Sequence, residues 1–341
     1  MYRFQNDYSE GAHPRILQAL CDSNLVQTAG YGRDTYCEAA AALIREKCAA
    51  PSADVHFVPG GTQANLLVIH AALRSYESVI SAHTGHINTH ESGAIEATAH
   101  KVCAIHAPTS KLTPELVRTV CGEHSGDLMV RPKMVYISNA TEMGSIYTKA
   151  ELTALRACCD ELGLYLFLDG ARLGSALVAS KGDLTLADLA ALTDAFTIGG
   201  TKNGALIGEA IVLTNSELQP HFRWHLKQRG AMLAKGRLMG IQFLELLKDD
   251  LYFELAAHAN VMADKLRQGI LALGYEIPVP SPSNLFFPIF PNSVIEKLQE
   301  NYTFEIDHAT DAEHTMIRLV TSWATPETAV DAFLADLANC R

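Results

Sequence analysis

Between residues 55 and 214 the chain alternates short, almost wholly apolar runs with longer amphipathic stretches. The apolar runs are 55–58, 79–81, 102–106, 134–138, 166–169, 195–198 and 210–213, each stopped by Gly, Pro or a polar residue. Runs of this kind predict strands buried on both faces, as in a parallel sheet covered by helices. The stretches between them have helical signals. Residues 63–75 carry Leu66, Leu67, Ile69 and Leu73. Thr113-Pro114-Glu115 reads as an N-cap followed by a first-turn proline, and Thr148-Lys149-Ala150-Glu151 as a capping box whose helix runs to about Leu162. Strand and helix in alternation predict an α/β fold with a mostly parallel sheet.

On either side the pattern differs. Residues 1–14 read as an extended polar arm containing Asn6-Asp7-Tyr8. A helix follows over 14–22, then the glycine-punctuated loop Ala29-Gly30-Tyr31-Gly32-Arg33-Asp34, then an alanine-rich helix over 36–48. Beyond 214 a long helical stretch spans 237–273. Strand-like runs then cover 284–290, 303–306 and 315–322, and Thr325-Pro326-Glu327 is expected to cap a final helix. The expected organisation is a large α/β domain over 15–240, preceded by the arm, and a smaller α+β domain over 241–341.

Composition narrows the function classes. With 48% hydrophobic and 19% charged residues the chain is expected to be globular rather than disordered. A net charge of −11 argues against nucleic acid or anionic membrane as partner, while leaving room for a local cationic pocket. Eight scattered cysteines without a CxxC pair suggest neither a zinc site nor a disulfide framework, and reduced thiols point to the cytoplasm. The first residues lack a signal-peptide apolar segment, and no run has membrane-spanning length.

Two segments carry the candidate chemistry. In Leu166-Phe167-Leu168-Asp169-Gly170-Ala171-Arg172 an apolar run ends in an acid. In Thr197-Ile198-Gly199-Gly200-Thr201-Lys202-Asn203-Gly204 a single lysine follows another such run. Ligands of open α/β sheets bind at the carboxyl ends of strands, so Asp169 and Lys202 are expected to meet across one crevice. A lysine amine forms a Schiff base with an aldehyde, and an aspartate holds a pyridinium nitrogen protonated; together they are the essentials of a pyridoxal phosphate (PLP) site. The plainer alternative is a solvated lysine and a turn aspartate. Pro59-Gly60-Gly61-Thr62, between a strand and a helix, reads as an anion site, without the spacing of a nucleotide loop. His83, His86 and His90 lack the accompanying ligand pattern of a metal centre, which favours an aromatic role for His86 and no metal. Arg318, alone in an apolar strand, either faces solvent or points into the crevice.

Taken in order, several motifs resemble the threonine aldolase branch of the β-eliminating lyases. They are Phe57-Val58-Pro59-Gly60-Gly61-Thr62, Gly85-His86-Ile87, Glu91-Ser92-Gly93-Ala94, Leu168-Asp169-Gly170-Ala171-Arg172-Leu173, Thr201-Lys202 and Ile317-Arg318-Leu319-Val320-Thr321. The resemblance covers nearly the whole chain. It implies the aspartate-aminotransferase-like fold (fold type I), PLP as cofactor and retro-aldol cleavage of a β-hydroxy-α-amino acid to glycine and an aldehyde. Lys202 would be the Schiff-base lysine, with Thr201 beside it; Asp169 the partner of the ring nitrogen; Ala171 the residue under the ring and His86 the one over it. Gly60, Gly61 and Thr62 would hold the phosphate. Arg172 and Arg318, with Asn6, would bind the substrate carboxylate, and His86 or a water would act as base. The resemblance also implies a homotetramer of tight dimers, with Tyr31, Lys235 and Arg237 acting in a neighbour's site.

Three departures stand out: Asn6-Asp7-Tyr8 for the family's Ser-Asp-Thr, Ser138-Asn139-Ala140-Thr141-Glu142 for its usual Glu-Asn-Thr-His-Asn loop, and Leu128-Met129 near the place of a second histidine, with His124 out of register. The last predicts an apolar wall beside the substrate's β-carbon and a preference for aryl or longer alkyl side chains. Open alternatives are another PLP-dependent lyase or racemase, or a PLP-binding protein without turnover. A nucleotide-binding α/β protein is disfavoured by the missing phosphate-loop spacing.

Overall fold

The computed structural model describes residues 1–340. Its central sheet has seven strands: β1 (Asp54–Val58), β2 (Glu77–Ala82), β3 (Lys101–Ile105), β4 (Arg131–Ser138), β5 (Tyr165–Asp169), β6 (Ala195–Gly199) and β7 (Glu209–Leu213). The order is β3-β2-β4-β5-β6-β7-β1, and all pairings are parallel except the two made by β7. Because both faces are covered, alternate residues of one strand feed different cores. Met134 and Tyr136 of β4 pack on one side with Phe167 and Ile211, while Val135 and Ile137 pack on the other with Leu166 and Phe196. This is why the strands read as continuous apolar runs rather than alternating ones.

A third core lies among the C-terminal elements, where Leu266, Phe286, Phe290, Ile317 and Phe333 enclose Phe4 from the N-terminal arm. There His314–Val320 pairs antiparallel with Leu285–Phe286, Ile289–Pro291 and Glu305–Ala309. The arm's Tyr2–Arg3 pairs parallel with Tyr302–Thr303. The arm is therefore pinned at its start and enters the large lobe only after residue 4. No helix among the described residues is long and apolar enough to cross a membrane.

Four expectations are corrected. The helical stretch 237–273 is two helices, Arg237–Leu247 and Leu251–Ala272. They are separated where Asp249 and Asp250 adopt φ of 55° and 59°, a left-handed conformation that aspartate tolerates better than most residues. Thr325 does not cap the last helix: its Oγ1 accepts from the Ser322 N–H at 2.8 Å, and Pro326 stands at the cap. The run 303–306 is divided at Phe304, each half pairing with a different strand. Finally, the helix expected over 63–75 is Gly61–Ala72, so it begins inside the glycine turn itself.

Candidate active site

The carboxyl ends of β1, β2, β4, β5 and β6 converge with the first residue of β7 on a cavity of about 290 Å³. Gly60, Gly61, Thr62, His86, Asp169, Ala171, Arg172, Thr201 and Lys202 all line it. The Asp169 and Lys202 turns are packed against each other: Gly170 donates to Thr197 Oγ1 at 2.7 Å, and a Cβ on Gly170 would overlap the Thr197 carbonyl oxygen. Only glycine lets the two turns close this tightly.

Asp169 is buried and heavily engaged. Its Oδ2 accepts from Tyr136 OH at 2.6 Å and Asn65 Nδ2 at 2.9 Å, and its Oδ1 from the Ala171 N–H at 2.9 Å. A carboxylate has about four acceptor positions, so one remains for a ligand N–H. Asn65 also donates to Glu91 Oε1 at 2.8 Å, and the same oxygen meets His86 Nδ1 at 2.8 Å. A carboxylate only accepts, which places a proton on Nδ1 and makes Nε2 the acceptor of His86 whenever the ring is neutral. Burial and the nearby Asp169 push the Tyr136 hydroxyl well above its ordinary pKa, so it stays a donor.

Helix Gly61–Ala72 has no side chain capping its N-terminus, and nothing lies within 4 Å of where a Cβ on Gly60 or Gly61 would stand. Uncapped N–H groups in front of open space form an anion cradle. Lys202 is half-buried at the cavity wall, and desolvation together with Arg172 pushes its amine below the ordinary lysine pKa.

Arg172 is not free. Its Nε donates to Asp7 Oδ2 at 2.6 Å and its Nη2 to Oδ1 at 3.0 Å, while Asn284 Nδ2 holds the same carboxylate at 3.0 Å. Asp7 rather than Asn6 is thus the arm residue turned to the site. The Asn6 side chain accepts from the Tyr8 N–H and Ser9 Oγ in a local turn, and Tyr8 lines the cavity. Arg318 is ion-paired with Glu305 at 2.6 Å and donates to the Gln5 carbonyl at 3.3 Å; it does not line the cavity.

Tyr31, Lys235 and Arg237 lie away from this chain's own cavity. Tyr31 has Lys227 over its ring at 4.9 Å, and Arg237 donates to the carbonyls of Ser23, Asn24 and Val26. This chain does not build the expected apolar wall at its own cavity. Leu128 is 97% exposed, and Leu128-Met129 precede β4 at the end opposite Ser138, so the length of the strand separates them from the site. His124 bonds the Val120 carbonyl at 2.9 Å and lies near Cys103.

Several site residues escaped the sequence reading: Asp7, Asn65, Tyr136, Glu142 and Glu209. Glu142 accepts from Ser138 Oγ at 2.7 Å and the His86 N–H at 2.9 Å, and burial raises its carboxyl pKa. Of these, Asp7 and Glu142 lay in loops singled out as departures from the family, while Tyr136 and Asn65 lay in a predicted strand and a predicted helix with no chemical role assigned.

Comparison with known proteins agrees with this arrangement. The Beta-eliminating lyase family profile matches residues 14–290. A low specificity L-threonine aldolase of a Pseudomonas species is 33% identical over 98% of this chain and 96% of its own length. The solved structure of a Leishmania major threonine aldolase is 49% identical, covers 99% of both chains and superposes with a TM-score of 0.99. An aspartate aminotransferase variant from Thermus thermophilus, 17% identical over 100% of this chain and 92% of its own, has a TM-score of 0.75 and speaks for the fold alone. The fold is therefore the aspartate-aminotransferase type. With the site motifs converging on one cavity and the match running through both lobes, the chain belongs to the β-eliminating lyase family.

Proposed function

We propose that the protein is a PLP-dependent carbon–carbon lyase that cleaves L-threonine, L-allo-threonine or a related β-hydroxy-α-amino acid to glycine and an aldehyde. The observation that carries this reading is the meeting of Lys202 and Asp169, from neighbouring strands, at a cavity closed on one side by an uncapped helix N-terminus. These residues fit the cofactor. The open cradle at Gly60, Gly61 and Thr62 suits a phosphate, the remaining acceptor position of Asp169 suits a protonated ring nitrogen, and the depressed Lys202 amine suits attack on an aldehyde. When bound, PLP supplies an electron sink for the Cα–Cβ bond. Asp169 keeps the ring nitrogen protonated, and Tyr136 and Asn65 keep Asp169 aimed. Arg172 receives the substrate carboxylate with the guanidinium face that Asp7 leaves open. His86 accepts the β-hydroxyl proton at Nε2, with Glu91 behind Nδ1 to stabilise the imidazolium that forms.

The same reading divides the chain at 15–240 and 241–341, although helix Arg237–Leu247 and the start of Leu251–Ala272 pack on the large lobe's core. It includes a tetramer in which Tyr31, Lys235 and Arg237 serve a neighbouring site, testable by light scattering. It also includes a cytoplasmic location, in keeping with the free thiols. The deciding experiment is borohydride reduction of the purified protein with peptide mapping, followed by product analysis on L-threonine, L-serine and L-phenylserine. Label on Lys202 and glycine plus aldehyde as products are expected. Label elsewhere refutes the lysine assignment, and ammonia with a keto acid, or a racemised substrate, refutes the aldolase.

A further inference from the structure

Glu209 opens β7 and is the register partner of Gly199 on β6 and of Val58 on β1. It therefore stands between the strand that leads to Lys202 and the strand that leads to the anion cradle. Alternation along β7 puts Glu209 on the same sheet face as Ile211 and Leu213, which pack with Tyr136 and Phe167 below Asp169. The backbone ties it to the lysine turn. The Gly208 carbonyl accepts from the N–H groups of Gly200 and Thr201 at 3.0 and 3.2 Å, and the Gly208 N–H donates to Thr201 Oγ1 at 2.9 Å. Glu209 and Lys202 consequently line the same cavity.

For all this the Glu209 side chain is 4% exposed, and its buried Oε2 has no hydrogen-bond partner. An unpaired buried carboxylate is costly, and a group retained in that state has a partner to serve. Burial pushes the carboxyl well above its ordinary pKa, against the opposing pull of Lys202. Burial and Arg172 push the Lys202 amine down, against the opposing pull of Asp7 and Glu209. Other groups facing the pair are already committed. Arg172 and Asp7 hold each other, Asp169 is bonded by Tyr136 and Asn65, Glu142 by Ser138, and Tyr252 OH accepts from the Gly174 N–H at 3.1 Å.

We propose that Glu209 is the proton-exchange partner of Lys202. The two groups face one cavity without a direct hydrogen bond, so the proton leaves Lys202 Nζ, crosses by a cavity water to the Glu209 carboxyl, giving a neutral amine and a neutral acid, and returns by the same path when the lysine is next displaced. Only an N–H and an O–H bond are exchanged, and the cavity's net charge does not change. This assignment rests on Lys202 being the cofactor-bearing lysine.

The test uses the full chain stripped of cofactor, in wild-type form and as E209Q. Reactivity of Lys202 toward acetic anhydride is measured against that of an exposed lysine, by peptide mass spectrometry, from about pH 5 to about pH 10. A coupled pair titrates in two macroscopic steps, so wild-type reactivity should rise twice with a plateau between. E209Q should show one step, rising about tenfold per pH unit below its pKa as a lone amine does. E209A, which removes both oxygens and adds no donor, should match E209Q. Coincident one-step profiles for all three overturn the inference. So does an unchanged profile in E209Q with weakened binding of pyridoxal phosphate but not pyridoxal, which would make Glu209 a phosphate contact. Borohydride trapping of PLP on wild-type Lys202 separates the two levels: no trapping fails the proposed function, while trapping with coincident profiles fails only the role of Glu209.

Discussion

Asp7→Asn changes one oxygen to an NH₂ group at a residue that is 1% exposed and holds Arg172 through two hydrogen bonds. If the amide keeps its oxygen at the Oδ2 position, the bonds from Arg172 Nε and Asn284 Nδ2 survive, and the NH₂ group faces Arg172 Nη2, donor against donor. One charge-assisted bond is then lost, worth about 1.5–3 kcal/mol. Arg172 also becomes a largely buried cation without its anion, a situation that costs up to about 3–5 kcal/mol when burial is complete. We expect a loss near the lower end of that range, about 3 kcal/mol, because two of the three bonds remain. Burial raises the Asp7 carboxyl, but Arg172 and Lys202 outweigh it and hold the pKa below the ordinary aspartate value. A depressed folded pKa stabilises the fold fully above the unfolded value of about 3.9, and the contribution is lost as pH falls through the folded value. The stability gap between wild type and D7N should therefore be full at pH 7 and should shrink below about pH 4. Urea unfolding at both pH values reads this, with matched slopes required. Steady-state kinetics should show KM for the amino acid raised about tenfold or more, since losing about 1.4 kcal/mol of carboxylate recognition suffices, with a smaller change in kcat. Equal midpoints at pH 7 would refute the reasoning. A gap that persists undiminished into acid would show that shape, not charge, is at work.

Other expectations follow from the same geometry. Asp169→Asn should weaken PLP binding by roughly tenfold or more, for one charge-assisted bond, and lower turnover further; near-normal turnover, with binding followed by absorbance titration, would make Asp169 structural. Leu128→Ser should leave the ratio of phenylserine to threonine kcat/KM unchanged within about twofold, because a solvated side chain contributes no burial to the substrate; a larger change would return this loop to the site. Gly170→Ala should destabilise by several kcal/mol, of the order reserved for steric conflict in a closed core, visible as a large drop in Tm; wild-type stability would mean that the Thr197 carbonyl yields easily.

What the chain declares about itself locally proved enough to locate the strands. A strand covered on both faces must be apolar at every position whatever its neighbours are, so β1 to β7 were visible as runs. The glycines, the acid and the lysine that stop those runs marked the carboxyl ends where a ligand sits. Their meeting in one cavity followed from the parallel rule. Tertiary structure alone decided the rest, because each case depends on where distant segments cross. Asp7 reaches Arg172 only because Phe4 is buried in the C-terminal core and Tyr2–Arg3 is paired with Tyr302–Thr303. Asn65, buried inside a helix, and Glu91 become a relay between His86 and Asp169 only once that helix lies beside β4 and β5. Glu209 eluded the carboxyl-end rule because β7 runs antiparallel, bringing its first residue rather than its last to the site. Leu128, assigned to the pocket by resemblance, sits at the wrong end of β4 for the converse reason. Backbone pattern is a property of neighbouring residues and can be read in order. The partner of a buried charge is a property of the packed whole, set by long-range contacts that no local period records.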